Sequence, residues 1–284
     1  MASDGTAEFL RRLMLRSPLS AEEQRAVLHL SGQRCVIDSR RDIVTPGQNV
    51  EHTCLVVTGL AGRFDLDAEG RRQITAFYLP GDMCDLHSLP SPHTGWGICA
   101  LVPMTILRIP HAELHALVSR YNTLALALWR DSVVDASILA KWLAIFAHKS
   151  AEASLAHLLC EMGIRMEAVG LGSKTQFQFE ATQEQLADTL GLTTVHLNRT
   201  LQALRKDGLV KRVGRMIDIL DWPRLAKLAE FDPAYLLLEP QRTNFPAQIH
   251  EQRIAGRHER RALTRGLDPL APRRPAAVGA SQTP

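Results

Sequence analysis

The chain has 284 residues, 45% of them hydrophobic and 22% charged, enough for two domains that each bury a core. Its net charge is +3, yet the residues after Glu239 hold eight arginines against Glu251, Glu259 and Asp268, which leaves −2 for everything before them. That excludes a body held to a polyanion by bulk positive charge, so any nucleic-acid affinity must come from local patches.

In chain order, the opening MASDGTAEFLRRLMLRS has acids and no apolar core region, and so does not read as a signal peptide. Residues 17–30 predict a helix with a capping box, Ser20 followed three residues later by Glu23. From residue 33 to about 109, short β-prone runs are punctuated by Pro46-Gly47, Gly59, Glu69-Gly70, Pro80-Gly81 and Pro103, which predicts an antiparallel sandwich or roll. Helical periodicity resumes at His111. After Tyr121, the residues Leu126, Trp129, Val133, Ala136, Ala140, Leu143 and Ala147 recur at steps of three and four, an apolar heptad seam. Arg130, Asp131, Asp135 and Lys141 are expected to keep the opposite face wet. The seam fits either a helix packed on its own barrel or a coiled coil between two subunits, and small Ala136 and Ala140 favour the coiled coil. His148-Lys149-Ser150 is a candidate hinge, followed by a helix from Ala151, the Gly170-Leu171-Gly172-Ser173 loop and a strand at 176–179.

The most informative stretch is TQEQLADTLGLTTVHLNRTLQALRKDGLVKR, residues 182–212. It predicts a short helix, a turn at Leu190-Gly191-Leu192-Thr193 and a second helix. Gly191 suits a bend that needs positive φ, and Thr193 can cap the second helix. Leu197, Leu201 and Leu204 share one face of that helix. Thr194, His196, Asn198, Arg199, Gln202, Arg205 and Lys206 share the other, a set that can meet base edges and phosphates in a major groove. Between Thr182 and Arg215 there are six cations and three acids, and all six cations lie in or after the second helix. Two β-prone runs around Gly214-Arg215 predict a hairpin carrying Lys211, Arg212 and Arg215 to a sugar-phosphate backbone, the wing of a winged helix-turn-helix. Asp221-Trp222-Pro223-Arg224 opens a last helix. Beyond Pro240 the chain is rich in Arg, Pro, Ala and Gln and is expected to be disordered, either as a salt-sensitive DNA contact or as a solvated extension.

This order of parts resembles the Crp/Fnr family of bacterial transcription regulators over about residues 19–238. The motif at 182–210 carries most of the resemblance, with LVVTGLAGRFDLDAEGRRQITAFYLPGD and SAEASLAHLLCEM in support. The resemblance implies an α+β fold: a cyclic-nucleotide-binding-like β-roll (1–120), a dimerisation helix and hinge (121–149), a winged helix-turn-helix (150–238) and an arginine-rich tail (239–284). It implies a homodimer on a pseudo-palindromic operator of double-stranded DNA, with RNA polymerase as a further partner. Arg199 matches the family's recognition-helix arginine and would bind guanine or a phosphate. Val195 stands where many members carry glutamate, and would touch a thymine methyl, pack, or meet a phosphate. Gln183, Thr193, Thr194, His196, Asn198, Gln202 and the wing cations complete the expected DNA-binding set.

Members that bind cyclic nucleotides use a Gly-Glu pair for the ribose and an Arg-Ser pair for the cyclic phosphate. Here those positions fall on Leu86, with Asp85 before it, and on Trp96-Gly97, while the Gly81-Asp82 turn is kept. An unpaired buried phosphate is costly, so cyclic AMP is not the expected effector. Iron–sulfur members carry N-terminal cysteines; this chain has none before Cys35. Five scattered cysteines without a framework suit a reducing compartment, and no stretch approaches the ~20 apolar residues of a membrane span. A soluble, cytoplasmic regulator without a cofactor or membrane partner is expected. Cys84, His87, His93 and Cys99 fit no standard zinc module; a metal or redox role competes with two cysteines packed in strands. The competing function is a small-molecule, metal or redox sensor whose output is a protein contact. No nucleophile elbow, phosphate loop or HExxH points to an enzyme.

Overall fold

The computed structural model describes residues 5–239. Two short helices, α1 (Thr6–Met14) and α2 (Ala21–Leu28), precede the β-structure. The capping box forms: Ser20 Oγ accepts from Glu23 N at 3.3 Å, and Glu23 Oε2 accepts from Ser20 N at 2.8 Å. Helix α1 was not foreseen from the sequence. Its Phe9, Leu10 and Leu13 lie in one apolar cluster with Leu55, Ile109, Leu114 and Leu128, so it packs onto the roll.

The roll consists of β1 (Gln33–Ile37), β2 (Asp42–Val44), β3 (His52–Thr58), β4 (Ala61–Leu66), β5 (Arg72–Tyr78), β6 (Gly97–Ala100) and β7 (Met104–Pro110). They form two antiparallel sheets of order β1-β7-β3 and β2-β6-β4-β5. Val56, Ala61, Ala76, Ile98 and Ile106 fill the space between them. Helix α3 (His111–Arg120) leads into α4 (Asn122–His148), the 27-residue heptad helix.

Both faces of α4 are apolar. Leu124, Ala127, Leu128, Val134, Ile138, Trp142 and Ile145 are buried on the inner face. The outer face shows Trp129, 68% exposed, and Leu143, 72% exposed, together with Val133, Ala136, Ala140 and Ala147; Leu126 is half-buried. The expectation for Asp131 is overturned. It lies on the inner face, 3% exposed, accepting from Arg12 Nε at 2.9 Å and paired with Arg16. Burial alone would raise its carboxyl, but Arg12 and Arg16 outweigh that and hold it below the usual range. The heptad pattern assigned one apolar face and left the charges to solvent; the buried Arg12 of α1 and Arg16 just beyond it, remote in sequence, were invisible to it.

Helix α4 ends at His148. Lys149 is extended, and Ser150 caps α5 (Ala151–Val169) through Ala153 N at 3.2 Å. Then come β8 (Gly172–Ser173), β9 (Gln176–Gln178), α6 (Gln183–Thr189), α7 (Thr194–Lys206), β10 (Val210–Val213), β11 (Met216–Ile219) and α8 (Trp222–Ala229). Strands β8 to β11 make a third, small sheet of order β10-β11-β9-β8. The core of this winged part is continuous with the roll: Phe77 of β5 meets Trp142 of α4 at 5.8 Å and Phe179 at 5.3 Å between ring centroids. At the junction Arg165 donates to Asp82 at 2.9 Å, to Phe77 O at 2.7 Å and to Glu161 at 3.1 Å. Glu161 is fully buried and also accepts from Trp142 Nε1 at 2.8 Å and Tyr235 Oη at 2.9 Å. Among the described residues no helix is long and apolar enough to cross a membrane. The arginine-rich tail lies outside the described residues.

Candidate nucleic-acid interface

The reading unit is built by caps and a turn. Thr182 Oγ1 accepts from Gln185 N at 3.1 Å, and Gln185 Oε1 accepts from Thr182 N at 2.8 Å, a capping box that starts α6. Gly191 then takes φ +64, where a side chain would be strained, and turns the chain. Thr193 Oγ1 accepts from His196 N at 3.2 Å and starts α7. Leu197, Thr200 and Leu204 of α7 are buried against α5 and α6, with Leu201 half-buried. Thr194, Val195, His196, Arg199, Gln202, Arg205 and Lys206 are exposed and Asn198 is half-buried, so the expected polar face is outward. Val195 is 63% exposed, which removes packing as its role in the free chain.

The wing cations divide. Gly214 takes φ +61 in the β10–β11 turn, so the hairpin forms where expected. Lys211 is exposed and, like Arg199 and Lys206, makes no hydrogen bond or ion pair with a described residue. Arg212 is half-buried and donates to Ala181 O at 2.9 Å and Gly214 O at 3.0 Å; burial lowers its pKa. Its guanidinium ties the wing to the start of α6 rather than facing outward. Arg215 pairs with Glu180, and Arg205 donates to Arg212 O at 3.0 Å. A cleft of about 370 Å³ runs between α7 and the wing, bordered by Gln183, Asn198, Gln202, Arg205 and Gly214. It is a donor-rich groove of the kind that can follow a sugar-phosphate backbone.

The six expected effector-pocket residues are not gathered in one place. Leu86 and Trp96 line a cavity of about 180 Å³ between the roll and α4. Gly81 takes φ +88 with α1 against it, and Asp82 is held by Arg12, Arg165 and Leu79 N. Asp85 is fully buried and accepts from Cys54 N at 2.6 Å; burial raises its pKa to about 7. Gly97 lies under the Phe64 ring, where a Cβ would come within 2.2 Å. The cavity holds residues the sequence reading missed: Arg63 of β4, Tyr78 of β5 and Asp135 of α4. A guanidinium is therefore present, supplied from β4 instead of from position 96. An arginine between Gly62 and Phe64, in the otherwise apolar first four residues of β4, was the available signal.

Among the described residues no group of three His, Cys, Asp or Glu side chains could hold a metal ion. Cys84 is buried between the two sheets, and Cys99 sits in the separate cluster that contains Phe64 and Leu101. Burial raises both thiols, Cys99 to about 11, so neither is a ready thiolate.

Two family models match the chain: a cyclic nucleotide-binding domain over residues 37–121 and a Crp-like helix-turn-helix domain over residues 153–228. The chain is 26% identical to the nitrogen fixation regulation protein FixK of Azorhizobium caulinodans over 179 residues, 63% of this chain and 71% of that protein. It is 24% identical over 195 residues to the transcriptional activator protein FnrL of Cereibacter sphaeroides, covering 67% of this chain and 77% of that one. The structure of FixK2 from Bradyrhizobium japonicum superposes with a TM-score of 0.64 at 25% identity, over 70% of this chain and 98% of that one. These relatives are transcription regulators, not enzymes. With a β-roll, a long helix and a capped reading helix in this order, the chain belongs to the Crp/Fnr family of DNA-binding transcription regulators.

Proposed function

We propose that the chain works as a homodimer that reads a pseudo-palindromic operator, with α7 of each subunit in successive major grooves about 34 Å apart. The observation that carries this is the outward face of α7. Arg199 stands there exposed with no described partner, while the leucines behind it are buried. A large exposed apolar seam on α4, led by Trp129 and Leu143, supports the two-fold partner. RNA polymerase is the machinery such a regulator would address. Base reading rests on Thr194, Val195, His196, Asn198, Arg199 and Gln202. Backbone contacts rest on Gln183, Thr193 and Lys211, with Arg215 joining only if it leaves Glu180.

The same reading gives the roll an altered effector pocket, of neither the cyclic-AMP nor the iron–sulfur type. Trp96 stands where the phosphate-binding arginine would be, and the cavity of about 180 Å³ is below the ~300–1,000 Å³ of a typical ligand pocket. The test is selection of bound sites from random duplex DNA, followed by comparison of wild type with Arg199→Ala. Loss of one bidentate base contact should weaken the selected site by about 10- to 100-fold. Sedimentation should still give a dimer. Equal affinity of the two proteins for that site would overturn the assignment of α7 as the reading helix.

A further inference from the structure

Leu197 and Leu204 of α7 are buried, and Leu201 and Ala203 are half-buried. The helix therefore turns every apolar residue inward except Val195. Val195 is 63% exposed and second in the helix, with Thr194, His196 and Arg199 exposed around it. Nothing in the chain itself accounts for a valine there. It adds no packing. It offers the helix no cap, since Thr193 Oγ1 already accepts from His196 N. A β-branched side chain is also a weaker helix former than the Glu, Gln, Lys or Arg that would suit an exposed first turn.

The first turn of a reading helix is the part that meets base edges. An isopropyl group neither donates nor accepts, so its choice among the edges follows from what each edge loses. In the major groove cytosine presents an amino donor, adenine an amino donor beside an acceptor, and guanine two acceptors. Each would exchange water for a wall that cannot pair with it, and so would a phosphate oxygen. Thymine alone presents a methyl group there, and contact with it takes hydrocarbon out of water on both sides. We propose that Val195 reads the 5-methyl group of a thymine in each half-site. Arg199 fixes where that thymine lies. It stands four residues on, exposed on the same face and about 6 Å further along the helix axis. With base pairs about 3.4 Å apart, the thymine falls within about two base pairs of the group that Arg199 takes. The proposal rests on α7 being the reading helix.

The experiment measures, by fluorescence anisotropy, binding of the full chain to the duplex it selects from random DNA. Each thymine of the half-site is exchanged in turn for deoxyuridine, symmetrically in both halves. Uracil keeps every pairing atom and lacks only the methyl group. One such exchange should weaken wild type by about 10-fold, the worth of roughly one buried methyl group in each half. Val195→Ala should respond to that exchange by less than about 3-fold, since most of the apolar contact is gone. It should melt no lower than wild type, because the side chain is exposed. Setting 5-methylcytosine against cytosine at the same position should give a gain of similar size in wild type and little in the variant. A wild type indifferent to both methyl groups, or a variant that keeps the wild-type response, overturns the proposal. The reading helix survives that result so long as Arg199→Ala still loses the site. Failure to select any site, or equal binding by Arg199→Ala, overturns the reading helix and the methyl contact with it.

Discussion

Asp131 carries more of the junction than its place in a heptad suggests. One oxygen serves Arg12 and Arg16 together, and both arginines are themselves buried. Burial, with Arg12 beside it, lowers the Arg16 pKa to about 10, so the pair is crowded as well as desolvated. Asp131→Asn leaves two guanidiniums with less counter-charge, and should cost about 3–5 kcal/mol in urea unfolding at pH 7. The sign with pH follows from the depressed carboxyl. Its contribution is full above the unfolded value of about 3.9 and is lost as pH falls through the lower folded value. The gap between wild type and variant should therefore narrow in acid; a gap that stays constant from pH 7 to pH 3 would contradict the pairing. Such residues explain what the sequence could and could not reveal. Thr193, Gly191 and Ser20 were legible because cap and turn chemistry is local. Asp131 and Arg63 were not, because their partners stand 119 and 72 positions away.

At the scale of elements, α4 is the helix whose pattern was half read. The heptad spacing located the outer seam, and the exposed Trp129, Val133, Ala136, Ala140 and Leu143 lie along it. The inner stripe, from Leu124 to Ile145, overlaps the same period and was not separable from it by spacing alone. Trp129→Asp should leave the far-ultraviolet circular dichroism and melting of the monomer fold intact, since the side chain is 68% exposed. It should also convert a dimer in sedimentation velocity into a monomer, and weaken operator binding with it. A Trp129→Asp protein that still sediments as a dimer would place the partner elsewhere. The wing teaches a related lesson. Its strands and turn were evident from β-prone runs around Gly214, but composition could not say that Arg212 would fold inward while Lys211 stays outside.

Across the whole molecule, the three expected parts share one core. Phe77, Trp142 and Phe179 come from the roll, the long helix and the winged part, and Arg165 joins all three through Asp82 and Glu161. The reading unit is also seated on the roll: Asp188 accepts from Ile74 N at 3.1 Å, and Gln185 Nε2 donates to Leu101 O at 2.9 Å. None of this follows from domain boundaries in sequence, since each contact joins segments that are individually complete. It means that the position of α7 is set by the roll as well as by the extended link at Lys149.

Gln185 gives this arrangement an unusual handle. Its oxygen caps α6 while its nitrogen holds the roll, so one amide group joins the folding of the reading unit to its seating. Gln185→Glu exchanges only that nitrogen for oxygen. The cap survives, because glutamate serves a capping box equally well. At Leu101, however, two acceptors now face each other, a local loss of about 1–3 kcal/mol. The expected product is an intact reading unit that has come off the roll, seen as a larger radius of gyration in X-ray scattering with unchanged helix content. An unchanged scattering profile would mean that the aromatic core alone holds the seat. A single-atom wedge of this kind separates assembly from architecture in a way that cutting the chain cannot, since a cut would also bare Phe77 and Phe179.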